Sequence, residues 1–175
     1  MAQTHPNPFR CLDQRQPIQD RLRWVHERLL AIDDRLERLA FAVYQPRNDL
    51  LSTFVSHNSH GANLSFYDAP LAAIPSLQAL AGSRSCRVID DMASELPRQS
   101  AHSRWLLEHG WRSSYTVPLF REEHLLGFLF VNGQKPALFT PELRQRIDPH
   151  LELLGAVLNQ ELSTGDSLRV ACSWP

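Results

Sequence analysis

The feature that most constrains the fold is a pair of apolar, β-rich runs in the C-terminal half of the chain. Residues 113–120 and 124–132 are rich in Val, Leu, Phe, Tyr and Thr, and the charged tripeptide Arg121-Glu122-Glu123 separates them. A connection of this length joins antiparallel neighbours. The sequence therefore predicts a β-hairpin here, and the fold has to include an antiparallel sheet.

A helix is predicted directly after the hairpin, over residues 140–162. Thr140 supplies a capping hydroxyl, Pro141 suits the first helical position, and Glu142 lies at the positive end of the helix dipole. Pro149 lies inside the pattern and predicts a kink. The apolar positions of this helix are Leu143, Ile147, Leu151, Leu154, Leu158 and Leu162.

The N-terminal part of the chain carries an apolar seam with alternating steps of four and three. This heptad spacing predicts one long helix over residues 17–44, with Pro17 at its start and Pro46 beyond its end. A strict seam favours association of helices between two chains, and an amphipathic helix packed on its own domain is the alternative. The predicted homodimer interface consists of Ile18, Leu22, Val25, Leu29, Ile32, Leu36, Leu39 and Val43.

The middle of the chain alternates between strand and helix patterns. Period two begins at Leu50, and a polar turn follows at residues 57–61. The patterns predict strands at 50–57, 63–67 and 86–90 and helices at 70–81 and 100–109. Hairpin-linked strands with helices at both ends predict an α+β fold with an antiparallel sheet.

Composition excludes several classes of protein. With 175 residues and a net charge of −1, the chain suits one domain with helical arms, and its Arg residues are interleaved with Asp and Glu. That charge pattern argues against nucleic acid as a partner. No run approaches the roughly 20 apolar residues of a membrane span, and residues 1–16 contain no apolar core of a signal peptide. We therefore expect a cytoplasmic protein without a membrane partner, with a flexible start (1–16) and an irregular tail (163–175).

Residues 44–162 resemble a GAF domain, and the hairpin carries most of the resemblance. The similar elements are a Gly-x-Arg-Ser turn at residues 110–113, a strand ending in Pro118-Leu119, a second strand containing Gly127, and the Phe-Thr-Pro-Glu sequence at residues 139–142. The resemblance implies a GAF-like antiparallel sheet flanked by helices. It also implies a sensor core over residues 45–139, between the dimerisation helix and the exit helix.

A narrower resemblance concerns residues 66–71 and 113–118, which are similar to GAF domains that precede HD-GYP phosphodiesterases in bacterial signalling proteins. In those proteins the exit helix leads into a domain that hydrolyses cyclic di-GMP. This chain has no His-Asp dipeptide and no Gly-Tyr-Pro sequence. We therefore expect a regulatory domain and not an enzyme, with an output domain downstream.

The resemblance further implies a small-molecule pocket on one face of the sheet. Its lining would combine apolar and aromatic walls with a few polar groups, although the same side chains also suit a filled core. The candidate ligand-binding residues are Phe54, Tyr67, Asp91, Trp105, Tyr115, Val117, Phe130 and Asn132.

The sequence leaves the ligand and any cofactor unidentified. The cyclic-nucleotide pattern of GAF domains fails at Gly133 and at Leu143-Arg144. Cys86 lacks the neighbouring His common in bilin-binding members, and the histidines form no metal-ligand spacing. The alternatives to a sensor are a ligand-free structural dimerisation module and, ranked last, a small redox or haem enzyme.

Overall fold

The computed structural model describes residues 17–60, 68–97 and 101–164. Its helices are α1 (Ile18–Ile32), α2 (Pro75–Ser83), α3 (Met92–Glu95), α4 (Ala101–Glu108) and α5 (Pro141–Thr164). Its strands are β1 (Arg38–Gln45), β2 (Leu50–Asn58), β3 (Asp68–Pro70), β4 (Arg87–Ile89), β5 (Ser113–Arg121) and β6 (His124–Gly133). Within these ranges, no helix is both long and apolar enough to cross a membrane.

The strands form one six-stranded sheet in the order β3-β2-β1-β6-β5-β4. Every neighbouring pair is antiparallel. The predicted hairpin is the β5–β6 pair, in which Ser113 lies opposite Gly133 and Arg121 lies opposite His124. The α+β fold with an antiparallel sheet, expected from the sequence, is confirmed.

The two terminal helices cover one face of the sheet. Alternate side chains of the two central strands point to this face, namely Leu39, Phe41 and Val43 of β1 and Leu129 and Val131 of β6. The helix residues of the same buried cluster are Leu22, Val25 and Leu29 of α1 and Leu143, Ile147, Leu151, Leu154 and Leu158 of α5. We call this cluster the helix-side core.

Polar contacts also hold α5 in place. Arg21 of α1 forms an ion pair with Glu161 of α5. The Tyr115 hydroxyl of β5 donates to Asp148 Oδ1 at 2.9 Å. Arg121, at the end of β5, donates from Nε to Asn159 Oδ1 at 2.8 Å. Helix α5 is therefore bound both to α1 and to the hairpin.

The two central strands approach each other closely at Gly127. This residue has φ 151° and pairs with Val43 of β1. A Cβ at this position would lie 1.9 Å from the carbonyl oxygen of Ala42. Because only glycine tolerates both the backbone angle and this contact, Gly127 is required for the β1–β6 pairing.

Shorter helices cover the opposite face of the sheet. Helix α2 packs over the β1–β2–β6 side through Leu77 and Leu80. Helices α3 and α4 form a separate cluster that includes Met92 and Leu106. The two clusters are distinct, and the space between them is the cavity described below.

The structure corrects the long N-terminal helix predicted over residues 17–44. Helix α1 ends at Ile32, and residues 38–45 form β1. The chain turns where the Asp33 carboxylate accepts hydrogen bonds from the backbone N–H of Arg35 at 3.0 Å and from its Nε at 2.8 Å. Residues 39–43 are all apolar, as in a central strand covered on both faces. The predicted core boundary at residue 45 therefore excluded a central strand.

The predicted homodimer interface is likewise corrected, because the seam is buried inside its own chain. Leu22, Leu29, Leu36 and Leu39 are each 0% exposed, and all belong to the helix-side core. Val25 and Val43 belong to this core too, and Ile18 and Ile32 pack against it. The spacing of these residues reflects a helix and a strand that contact one core, which a heptad template does not distinguish from a coiled coil.

Two histidines tie α1 to β2. The Leu36 carbonyl accepts a hydrogen bond from His26 Nε2 at 2.6 Å, and His26 Nδ1 lies 2.7 Å from His57 Nδ1. Since a carbonyl only accepts, neutral His26 carries its proton on Nε2 and accepts at Nδ1 from His57. Burial is the main cause that lowers the pKa of His26 from 6.5 to about 4. His57, at the end of β2, is itself partly buried by this contact.

The burial of Leu29 leads to a prediction that separates the two interpretations of the seam. Leu29→Ala removes side-chain atoms from the helix-side core and should lower the free energy of unfolding by about 2–5 kcal/mol. Leu30→Ala, on the partly exposed neighbouring residue, should cost less than about 1 kcal/mol. Urea unfolding of both variants measures the difference. If the two variants had equal free energies of unfolding and Leu29→Ala alone shifted from dimer to monomer, the seam would have to be a contact between two chains.

The His26 contact predicts a pH dependence of stability. Because the pKa of His26 is depressed in the fold, the unfolded state binds more protons between roughly pH 6.5 and pH 4. The free energy of unfolding should therefore be greatest above about pH 6.5. It should fall by about 3 kcal/mol as the pH is lowered to about 4. His26→Gln keeps a donor for Leu36 and should flatten the fall, whereas the exposed His124→Gln should not. Urea unfolding at a series of pH values gives the slopes, and identical slopes for both variants would exclude His26 as the cause.

Candidate ligand-binding site

The floor of the candidate site is the sheet face turned away from α1 and α5. In the antiparallel register, Arg38 of β1 lies opposite Asn132 of β6, which lies opposite Ser114 of β5. Residues directly opposite each other share a face of the sheet. Three polar side chains therefore form one row across three central strands, and Ile89 of β4 extends this row beside Ser114. We call Arg38, Asn132 and Ser114 the polar row.

A second row lies beside the first. Ala40 of β1 is opposite Phe130 of β6, and Phe130 is opposite Thr116 of β5. Arg87 of β4 is next to Thr116. The small side chain of Ala40 leaves space above the middle of the sheet, so the floor combines an apolar centre with polar groups at two sides.

Segments from the shorter helices roof this floor and enclose a cavity of about 480 Å³. The roof residues include Leu77 of α2, Met92 and Glu95 of α3, and Ser103 and Leu106 of α4. Pockets for small molecules commonly have volumes of roughly 300–1,000 Å³ and largely apolar walls. The cavity therefore has the size and chemistry of a small-molecule site.

Arg38 is the most unusual group of the polar row. The residue is only 5% exposed, and its Nη1 donates to Asn132 Oδ1 at 2.7 Å. Its Nε has no hydrogen-bond partner among the described residues. No carboxylate of that part of the chain forms an ion pair with it. Burial without a countercharge lowers the pKa of Arg38 to about 10.

Two further polar atoms on this face also lack partners among the described residues, namely Arg87 Nε and Thr116 Oγ1. Burial lowers the pKa of Arg87, while the nearby charge of Glu95 raises it. Arg87 therefore has a partly compensating carboxylate, and in the described part of the chain Arg38 does not. Orphaned buried polar atoms are costly. Because Arg38 and Arg87 both line the cavity, a bound molecule could supply the partners that their Nε atoms lack.

Two of the candidate ligand-binding residues line the cavity: Phe130 and Asn132. Tyr115 and Val117 are placed wrongly by the sequence analysis, because they face the helix-side core. Tyr115 pairs with Val131, one position away from Asn132. A shift of one residue moves a side chain to the other face of the sheet, and the sequence pattern alone does not reveal this register.

Asp91 and Trp105 are also absent from the cavity wall, so their assignment is corrected. The Asp91 carboxylate accepts from Arg112 Nε at 2.8 Å and caps α3 through Ala93 N–H at 3.0 Å. The hydrogen bond from Arg112 is the main cause that lowers the pKa of Asp91. Trp105 stacks on His109, with ring centroids 4.0 Å apart. Both residues position the α3–α4 roof and do not line the cavity.

The two remaining candidates are not described at the level of side chains. Tyr67 and the strand predicted over residues 63–67 lie outside the described residues, as do residues 1–16 and 165–175. Phe54 belongs to β2, but its side chain is outside the described set. Their assignment to a ligand site stays a prediction.

The sequence analysis missed Arg38, Ser114 and Arg87 as lining residues. The heptad spacing predicts one helix over residues 17–44, and a helix gives no indication that Arg38 lies on a sheet face. The alternation of Arg38, Ala40 and Ala42 with Leu39, Phe41 and Val43 is the signal of a strand with two different faces.

A scan for metal sites, limited to residues 17–60, 68–97 and 101–164, finds no group of three or more His, Cys, Asp or Glu side chains placed to hold a metal ion. Cys86 is exposed and is not a lining residue of the cavity. The described lining offers guanidinium groups, hydroxyls and apolar side chains.

Comparison with known proteins identifies the family. The sequence model of the GAF domain matches residues 25–160, so the chain belongs to the GAF family, a family of sensory and regulatory domains that also occurs in phytochromes. The match includes half of α1 and nearly all of α5. No curated protein sequence matches the chain.

Solved structures with a similar fold include photoreceptor domains. The phycoerythrobilin-bound GAF domain from a cyanobacterial phytochrome has a TM-score of 0.65 and 16% identity, with 88% of this chain and 92% of that chain covered. The chromophore-binding domain of the bacteriophytochrome RpBphP3 from R. palustris has a TM-score of 0.63 and 15% identity, with 89% of this chain covered. This chain spans 59% of that domain and 35% of a longer RpBphP3 structure.

Proposed function

We propose that this GAF domain is a small-molecule sensor that regulates an output domain through α1 and α5. The observation that carries the proposal is a roofed cavity of about 480 Å³ on the same strands that bear the helix-side core. A ligand of suitable chemistry would bind between the sheet and the α2–α4 roof. The output would respond to the helices on the opposite face.

A ligand in the cavity and the helices α1 and α5 would contact opposite faces of the same central strands. In β6, Phe130 lines the cavity, while Leu129 and Val131 contact the helix-side core. In β1, Ala40 lines the cavity between Leu39 and Phe41. A displacement of either strand by a ligand would move side chains packed against α1 and α5, since close-packed cores transmit strain.

In this proposal, the pair of helices α1 and α5 is the part of the domain that changes between two arrangements. The ion pair between Arg21 and Glu161 and the contacts of Tyr115 and Arg121 with α5 couple the pair to the sheet. A ligand shifts such an equilibrium only by its differential affinity for the two arrangements. The proposal also includes a homodimer. Because the seam is buried inside its own chain, this homodimer would form through the outer surfaces of α1 and α5.

Two of the structural neighbours are bilin-bound GAF domains, so we compared the cavity with the requirements of a bound bilin. Attachment of a bilin through a thioether requires a cysteine at the cavity. The Cys86 side chain interacts with the Tyr115 hydroxyl and does not line the cavity. In the described part of the chain, Cys86 therefore does not fit covalent attachment of a pigment in this cavity, and the proposal takes a reversibly bound ligand.

The proposed output is a cyclic di-GMP phosphodiesterase of the HD-GYP type. Support comes from residues 66–71 and 113–118, which are similar to GAF domains that precede such enzymes. In this proposal, helix α5, the last helix of the domain, would be the exit helix that leads to the output domain. In this proposal the domain itself carries no catalytic residue.

A ligand-free structural module is the alternative function. That alternative predicts a closed sheet face filled by its own aromatic side chains. The enclosed cavity and the orphaned Nε of Arg38 favour the sensor instead.

Ligand binding is testable on the purified chain by native mass spectrometry. We expect the wild-type protein, prepared in mild buffer, to carry an additional small mass. Ala40→Trp fills the cavity and should remove that mass, whereas Ala79→Trp, on the exposed side of α2, should retain it. Circular dichroism establishes that both variants fold, and Ala73→Trp at the cavity rim is a second blocking variant. A wild-type mass equal to that of the bare chain would favour the ligand-free module.

The output is testable in the source organism. Chromosomal Ala40→Trp should change the cellular concentration of cyclic di-GMP, because a filled cavity holds the helices in one arrangement. Ala79→Trp should leave the concentration unchanged, and mass spectrometry of nucleotide extracts measures it. Equal concentrations in both strains, with protein levels matched by immunoblot, would contradict a cyclic di-GMP output.

A further inference from the structure

The buried guanidinium of Arg38 restricts the chemistry of the ligand. A charged side chain that is only 5% exposed normally has an ionised partner, because removal of a charge from water is expensive. Arg38 has the neutral Asn132 as its hydrogen-bonding neighbour, and burial is the sole resolved cause of its lowered pKa. The cavity beside it therefore has a positive potential and an unused donor.

The neighbouring cation does not add a second free charge. Arg87 lies near Glu95 of α3, whose charge acts on it, and both residues line the cavity. The carboxylate of Glu95 also accepts the backbone N–H groups of Asp90 and Asp91, both at 2.9 Å. The uncompensated charge of the described lining is therefore about one positive unit, located at Arg38.

The middle of the cavity is apolar. The lining near the middle of the sheet consists of Ala40, Ala42 and Phe130, and Leu77 and Ile89 contribute further apolar walls. Such a surface binds hydrocarbon or aromatic groups, while Ser114 and Asn132 continue the polar row beside the guanidinium. The cavity therefore has the uncompensated charge of Arg38 at one place, an apolar middle, and the mutually compensating Arg87 and Glu95 elsewhere in its lining.

We infer that the ligand is an amphipathic monocarboxylate, with its carboxylate on Arg38 and its apolar body against Ala40, Phe130 and Leu77. This inference rests on the proposed sensor function and deepens it. A planar guanidinium matches a carboxylate in geometry, and one carboxylate balances one uncompensated charge. A phosphate monoester carries nearly two charges and would leave one of them without a partner.

The experiment uses the full chain and two matched series of probes, the phenylalkanoates from phenylacetate to phenylhexanoate and the corresponding alcohols. Calorimetric titration gives Kd for each acid and alcohol of equal length. For the chain length that fits best, we expect the acid to bind at least about tenfold more tightly than its alcohol. Arg38→Gln should remove this preference, and Arg38→Lys should restore part of it.

A second measurement separates a ligand contact from a structural role. In ligand-free protein, Arg38→Gln removes an uncompensated buried charge, so its thermal midpoint should equal or exceed that of the wild type. A structural arginine would behave in the opposite way, and a lower midpoint for Arg38→Gln would overturn the inference. The variant thus loses the preference for acids without losing stability.

The outcomes distinguish failure of this inference from failure of the sensor function. Equal binding of acids and alcohols that Ala40→Trp abolishes would overturn the carboxylate assignment and leave the sensor intact. Tighter binding of phenyl phosphate than of any phenylalkanoate would also overturn it. Absence of binding by every probe would overturn the assignment, and native mass spectrometry would then decide separately whether the cavity holds another ligand.

Discussion

The pairing of β1 with β6 is the contact on which the rest of the structure depends. These strands form the centre of the sheet, and Gly127 permits their backbones to approach closely. Their odd-numbered side chains build the helix-side core, and their even-numbered side chains build the cavity floor. The alternation of a strand thus assigns the helix-side core to one face and the cavity floor to the other.

The two faces differ in how they are covered, and this difference explains why the face turned away from α1 and α5 contains the cavity. Helices α1 and α5 are long and carry continuous leucine-rich stripes, so they fill the spaces between strands. The opposite face is covered by α2, α3 and α4, which have 9, 4 and 8 residues. These short helices form two separate clusters around α2 and around α3–α4. A cavity remains between them, with Arg38 in its wall.

Arg38 also illustrates how function competes with stability. A core designed for stability alone would place an apolar residue at this central position, since an unpaired buried charge costs more than it contributes. Asn132 satisfies one donor of the guanidinium, and Nε is left without a partner in the described part of the chain. Proteins retain such local costs mainly at functional sites. The polar row therefore indicates a candidate site more clearly than any aromatic residue of the lining does.

Local patterns were sufficient for the fold class, the β5–β6 hairpin and the helix after Thr140, because turn residues, alternation and helix caps act over a few residues. The family resemblance depended on the same hairpin. The sequence also contained the seam from Ile18 to Val43, but a helix and a strand that contact one core produced a spacing close to a heptad. Only the tertiary structure decided that the chain turns at Asp33, that Tyr115 faces α5 while Asn132 faces the cavity, and that Arg38 is buried without a countercharge. Those properties depend on strand register and on contacts between residues such as Arg38 and Asn132, 94 positions apart in the chain, which no local pattern encodes.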